Sequence, residues 1–223
     1  IENEYYSLVR PKQVPQEGET PSQALASRGI GYVELRAVDV NPYSPIGIDE
    51  DTAGFLEVLA LYCLLQDSPA LLDAEQSIIE NNQAEVVNRG RAPNAHIQEG
   101  DIKIPIEAWG QRYVTAMQPL AALLDQSYAT QLYSQALERM MARLHEVDET
   151  LSAQMIADTI QHGGTWGFGS YMAQQHAHAY EQHALRPETQ TYFDEIAVQS
   201  IQQQQQLEQA QGLSFADYVA QYR

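Results

Sequence analysis

The sequence has one cysteine, Cys63, among 223 residues. It therefore holds no internal disulfide, no CxxC redox pair and no cysteine-built zinc site. Positive charge is also scarce: 12 lysines and arginines stand against 30 aspartates and glutamates, a net charge of −18. Such a chain has no bulk attraction for nucleic acid or for an anionic membrane surface. Long apolar runs are lacking too. The longest dense one, Val58 to Leu65, has eight residues, against the roughly 20 of a membrane-spanning helix. No secretory signal pattern is visible, and no repeat period runs through the chain. A chain of this length can bury a sizeable core without covalent staples. The expectation is a reduced, cytoplasmic protein with no nucleic-acid or membrane partner.

What charge there is lies unevenly. Residues 1–48 carry six acids (Glu2, Glu4, Glu17, Glu19, Glu34, Asp39) and four bases (Arg10, Lys12, Arg28, Arg36), so most of the −18 belongs to residues 49–223. The first segment reads as strands and loops, the second as helices.

From Asp49 onward Phe55, Leu59 and Tyr62 recur at helical spacing. Their neighbours Val58, Leu61, Leu64 and Leu65 are also apolar, so this helix is expected to be buried on most sides, with Cys63 as a small core residue. A second helix is expected from about Asp73 to Asn88, ended by Gly90 in a left-handed cap. Arg91 to Pro105 reads as an irregular loop. Helix resumes near Glu107, and Pro119 should break or kink it. Ser127 is expected to cap the next helix, whose Leu132, Ala136, Leu137, Met140, Met141 and Leu144 form an apolar stripe. Thr150 or Ser152 caps another, which Gly163-Gly164 ends. A further helix runs from Thr165 to about His183. Pro187 opens the next, which carries the polar run Gln202 to Gln206, and a short last helix follows Ser214.

Gly163-Gly164-Thr165-Trp166-Gly167-Phe168-Gly169 lacks the preceding strand and following lysine of a phosphate loop, so it reads as a helix–helix turn. His176 and His183 share a helix face and His178 does not join them. Metal ligation on one helix prefers an i, i+4 pair, so these read as ordinary exposed or half-buried histidines.

The first segment carries the chemistry. A first strand, Ile1 to Arg10, is expected to stop at Pro11. Val14 to Ser27, with Pro15, Gly18 and Pro21, reads as loop, with room for a helical turn over Ser22 to Ser27. Gly31 to Asp39 alternates: Val33, Leu35 and Ala37 face one side, Tyr32, Glu34 and Arg36 the other. Two antiparallel strands would then show carboxylates, an arginine and tyrosines on one surface. One reading is a solvated sheet face with cross-strand ion pairs. The other is a site for a hard cation such as magnesium bridging to phosphates, with an arginine beside it to stabilise a transferring phosphoryl group.

The residues Ile1-Glu-Asn-Glu-Tyr-Tyr through Arg10-Pro11-Lys12, Gly31-Tyr-Val-Glu-Leu-Arg36 and Val38-Asp-Val-Asn-Pro-Tyr-Ser-Pro-Ile-Gly-Ile-Asp-Glu50 resemble the gamma-proteobacterial type of glutamate–cysteine ligase. The similarity continues more weakly through Asn88-Arg-Gly-Arg91 and Gly163-Gly164-Thr165. The chain opens at Ile1 inside what reads as a strand, and the resemblance is to the C-terminal portion of the family enzyme. The expectation is thus a fragment whose N-terminal portion is absent. The resemblance implies an α+β fold: two antiparallel strands of a glutamine-synthetase-like sheet (residues 1–48), then a mostly α-helical part packing on it (residues 49–223).

The implied reaction uses ATP to phosphorylate the γ-carboxylate of glutamate, after which the amino group of cysteine attacks. This is the first step of glutathione biosynthesis, with Mg2+ as cofactor and a monomeric full-length enzyme. By position, Glu34 corresponds to a magnesium ligand, Arg36 to the catalytic contact with the transferring phosphate, and Tyr6 to the cysteine pocket. Arg10, Lys12 and Tyr32 are candidate ATP or phosphate contacts, and Glu2 and Glu4 match without an assigned role. The isolated chain is expected to be inactive. The alternatives are a ligase joining glutamate to another amine, or an acidic helical interaction module that has lost the site.

Overall fold

The computed structural model describes residues 7–16, 18–209, 212 and 214–221. Helices hold most of these residues, and two short antiparallel hairpins complete the structure. The expected α+β class holds. The chain divides into two compact units, one of residues 1–39 with 179–223, the other of residues 40–178.

In the first unit β1 (Val9–Lys12) pairs antiparallel with β2 (Tyr32–Leu35), with α1 (Pro21–Arg28) between them in sequence. The unit also contains α8 (Pro187–Gln209) and α9 (Phe215–Gln221). β1 does not stop at Pro11, as expected, but runs through it, with Pro11 opposite Val33. With one pairing partner among the described residues, β1 is an edge strand, where a missing N–H is tolerated. The expected helical turn is a full helix. Thr20 and Gln23 form a reciprocal capping box at its start, and Pro21 sits in its first turn.

The second unit is built on α2 (Glu50–Leu64), α4 (Ile106–Tyr128) and α5 (Leu132–His145). Their shared core is Val58, Val114, Met117, Ala121, Tyr133 and Leu137, flanked by half-buried Phe55, Leu59, Tyr62, Met140, Met141 and Leu144. Gly110 lets α4 and α5 approach closely, because a Cβ there would lie 2.6 Å from Leu144 Cδ2. α3 (Asp73–Arg89), α6 (Leu151–Gln161), α7 (Thr165–Gln182) and the hairpin β3 (His96–Glu99) and β4 (Ile102–Pro105) account for the rest of its regular structure, apart from a single 3-10 turn, Val147–Glu149.

Several expectations are corrected here. Arg91 to Pro105 is not an irregular loop, since its second half is the β3–β4 hairpin, turning at Gly100 with φ 58°. Asn82 fixes it to α3, donating to the Gln98 carbonyl at 2.7 Å and accepting from the Gln98 N–H at 2.8 Å. Pro119 does not break α4, which is continuous across it. Gly90 follows α3 as expected but in the right-handed region, φ −53°. Its lack of a side chain matters because a Cβ would sit 2.5 Å from the Val86 carbonyl oxygen. Cys63 is exposed, and so are Leu64 and Leu65, so α2 is buried along one line rather than on most sides.

Ser127 does not cap α5. It lies inside α4 and donates to the Leu123 carbonyl. The start of α5 is instead held by Asp125, which accepts from the Tyr133 and Ser134 N–H groups, each at 3.0 Å. Burial works against the Asp125 charge, but the Ser134 and Tyr133 hydrogen bonds outweigh it and hold the carboxyl below its ordinary value. Other expected caps hold. Thr150 accepts from the Ala153 N–H, the Gly163-Gly164 turn follows α6, Pro187 opens α8, and Ser214 accepts from the Asp217 N–H before α9.

Candidate functional site: the charged face of the first hairpin

The register of the first hairpin places Arg10 opposite Glu34 and Lys12 opposite Tyr32. Paired residues of an antiparallel ladder share a face, so four of the predicted site residues, Arg10, Lys12, Tyr32 and Glu34, stand on one surface. Arg36 follows β2, where the ladder continues through its N–H to the Leu8 carbonyl at 2.7 Å. Two residues beyond Glu34, it continues the same side of the pleat. Tyr6, Glu2 and Glu4 lie outside the described residues.

Neither face is fully covered. On the charged face Arg10, Lys12 and Glu34 are half-buried and Tyr32 and Arg36 exposed, while Val9, Val33 and Leu35 on the other face are 51, 56 and 41% exposed. A hairpin packed on its apolar side would cover those three.

Glu34 Oε2 is shielded from solvent and accepts no hydrogen bond among the described residues. Lys12 Nζ lies 3.3 Å from it. A shielded carboxylate oxygen with its hydrogen-bonding capacity unfilled is suited to a hard cation, which takes oxygen ligands directly. The donor set stops there: the described residues contain no group of three or more His, Cys, Asp or Glu side chains that could hold a metal ion.

The connection between the strands is fixed by its own polar contacts. Gln13 donates to the Gly29 carbonyl at 3.1 Å, and the Gly31 N–H donates to the Lys12 carbonyl at 2.8 Å. A Cβ on Gly31 would lie 2.9 Å from Gln13 Oε1, so the side chain of Gln13 fills the space glycine leaves. Arg28 grips both carboxylate oxygens of Glu19, at 2.9 and 2.6 Å, and reaches the Val14 carbonyl at 2.9 Å. Glu19 Oε2 also accepts from the Gln16 N–H. This clamp sets where α1 leaves and rejoins the strands, and hence the register of the charged face.

The Arg28 hydrogen bonds, followed by that from Gln16, lower the Glu19 pKa to about 2 from 4.5. The sign follows: the clamp stabilises fully above 4.5 and is lost as pH falls through about 2. A carboxyl-carbon NMR titration of Glu19 should give a midpoint near 2 that rises in 1 M salt, because the pair stands at the surface. A midpoint at the ordinary value in low salt would show the clamp open.

In the second unit, the segment Asn41 to Ile48 is held as a compact loop. Asn41 donates to Asp49 at 2.8 Å, Ser44 to the Ile48 carbonyl at 2.6 Å, and His176 Nε2 to the Pro42 carbonyl at 2.7 Å. The Tyr43 hydroxyl donates to Asp158 at 2.5 Å. Burial and the Asp158 bond push the Tyr43 pKa up to about 12. His176 thus has a structural partner, and none of these long-range pairs has a local sequence signature.

Residues 1–86 match the model of the glutamate-cysteine ligase family. Over its whole length the chain is 39% identical to a glutamate–cysteine ligase of Pseudomonas fluorescens and 38% to one of Azotobacter vinelandii, spanning 42% of each. The crystal structure of glutamate–cysteine ligase from Francisella tularensis in complex with AMP matches the whole chain with a TM-score of 0.87 at 28% identity, over 44% of its own length. A bifunctional glutathione synthetase from Pasteurella multocida shares the fold over 81% of this chain, with a TM-score of 0.58 at 24% identity and 22% of its own length covered. By sequence over its entire length, and by fold, the chain is homologous to the C-terminal portion of the glutamate–cysteine ligases.

Proposed function

We propose that the chain supplies the C-terminal part of an ATP- and magnesium-dependent ligase that joins the γ-carboxylate of glutamate to the amino group of cysteine, the first step of glutathione biosynthesis. The observation that carries this reading is the shielded, hydrogen-bond-free Oε2 of Glu34 on a face with Arg10, Lys12 and Tyr32, in a chain homologous throughout to such ligases.

Magnesium, when bound, would neutralise phosphate charge at this face. Glu34 would hold it, with further ligands from substrate phosphates, water and the portion of the ligase that this chain does not span. Arg36 stabilises the charge that develops on the transferring phosphoryl group. Arg10, Lys12 and Tyr32 orient the phosphates, and Tyr6 belongs to the pocket for cysteine. Positioning and charge stabilisation are what phosphoryl transfer requires of a protein, and the two-residue spacing of Glu34 and Arg36 supports assigning these roles to one face. The exposed apolar residues Val9, Val33 and Leu35 are those of a hairpin that lies against other protein, since a lone hairpin is marginal in water. A cytoplasmic, monomeric full-length enzyme completes the reading.

The test is a chimera in which this chain replaces its counterpart in the Azotobacter vinelandii ligase. ATP- and magnesium-dependent γ-glutamylcysteine formation is expected from the chimera and none from the 223-residue chain alone. Product from the isolated chain contradicts the partial-site reading. A folded chimera that turns over glutamate with another amine but not with cysteine replaces the substrate assignment.

A further inference from the structure

We propose that Lys12 is a displaceable counter-ion on Glu34: it occupies the carboxylate while no metal is present and leaves when a divalent cation arrives. The proposal rests on the reading of Glu34 as the cation-binding carboxylate.

The contact is loose in a specific way. Lys12 Nζ is 3.3 Å from Glu34 Oε2, yet that oxygen accepts no hydrogen bond among the described residues. A charge-assisted N–H···O bond closes to about 2.7–2.9 Å. The ammonium therefore neutralises the oxygen without being seated on it. The register explains the geometry. Lys12 is paired with Tyr32, not with Glu34, so it reaches the carboxylate diagonally, with its side chain 30% exposed.

Residue type points the same way. The chain has ten arginines and two lysines, Lys12 and Lys103. Arginine at position 12 would grip a carboxylate through a rigid fork. Lysine offers a point charge on a flexible stem.

A magnesium ion bound to a carboxylate oxygen sits at about 2.0–2.1 Å. Seated there it competes with the ammonium 3.3 Å away, because two cations beside one carboxylate oxygen repel. Metal entry thus expels Lys12 onto a face it shares with Arg10, where its charge becomes available to a phosphate. Two consequences follow. Competition from Lys12 weakens metal binding in the absence of anion. By linkage, an anion that engages Lys12 strengthens it.

The test uses the chimeric ligase described above, in which the other ligands are present, with 15N label confined to this segment and its two lysines. Titration with magnesium should move the Lys12 signal to the position of a free lysine and leave Lys103 unmoved. In parallel, manganese binding is read as loss of the free-ion EPR signal. Lys12→Met should tighten it by about two- to fivefold, the worth of a half-exposed ion pair. Lys12→Arg should weaken it, and Glu34→Gln should weaken it further and remove any effect of Lys12→Met.

Glu34-dependent binding that Lys12→Met leaves unchanged or weakens overturns the counter-ion role alone. So does a Lys12 signal that stays in place under saturating magnesium. Binding that is absent, or that Glu34→Gln leaves unchanged, overturns the metal assignment of Glu34 and the proposal with it.

Discussion

Replacing Arg36 by methionine in a ligase assembled with this chain should lower turnover by about 10³- to 10⁵-fold, the range seen when a charge-stabilising arginine is removed from a phosphoryl-transfer site. The loss should fall on kcat with KM for glutamate little changed, because the guanidinium acts on charge that exists only as the phosphoryl group moves. Arg36→Lys should recover little of it, since a point charge does not reproduce the planar fork. Glu34→Gln should have a different signature. Its turnover should also fall, but rising magnesium should recover part of it, because the change removes one ligand and leaves the phosphates and water to hold the ion. An Arg36→Met enzyme within tenfold of the parent rate would remove this residue from the mechanism. A Glu34→Gln enzyme with unchanged magnesium dependence would remove the metal role.

Glu34 on β2 and Arg36 just beyond its end stand two residues apart. That relation was legible from the sequence: the alternation from Tyr32 to Ala37 assigns Glu34 and Arg36 to one side. The register was not. It depends on Pro11 remaining inside β1 and on the Glu19–Arg28 clamp between the strands, and neither follows from period-two patterning. Without it, Lys12 reads as a phosphate contact alone, and its approach to Glu34 stays hidden. The exposure of Val9, Val33 and Leu35 was equally invisible, because alternation says which residues share a face and not which face is covered.

Elsewhere the failures have local causes. The turn of the β3–β4 hairpin is Gly100-Asp101, a recognisable two-residue signal, but the strands His96–Glu99 and Ile102–Pro105 are four residues each and too short for alternation to stand out. Cys63 lies five residues after fully buried Val58, roughly 140° round the helix. A uniformly apolar run gives no hint of which side is inside. Asp125 caps α5 from α4, eight residues before the first N–H it receives. Sequence rules for caps look only at the residue next to the helix.

The core of the second unit supplies the other large effect. Leu137 is 2% exposed and is in the buried cluster with Val58, Val114, Met117, Ala121 and Tyr133. Truncation to alanine removes most of its side chain from a site that cannot easily close. Ala121 and Ala136 nearby are already small and offer little to fill the gap. The cavity left behind is costly, because the atoms lining it lose their packing partners on that side. Leu137→Ala should therefore destabilise the unit by about 3 kcal/mol. The melting temperature should fall by roughly 6–12 °C, the usual conversion for a chain of this size. Leu64→Ala is the control. Leu64 is as apolar but 78% exposed, so its loss should stay within about 0.5 kcal/mol. Thermal unfolding of both variants, followed by helical circular dichroism, decides the matter. Equal melting points would place the core elsewhere than along the Val58–Met117–Leu137 seam of α2, α4 and α5.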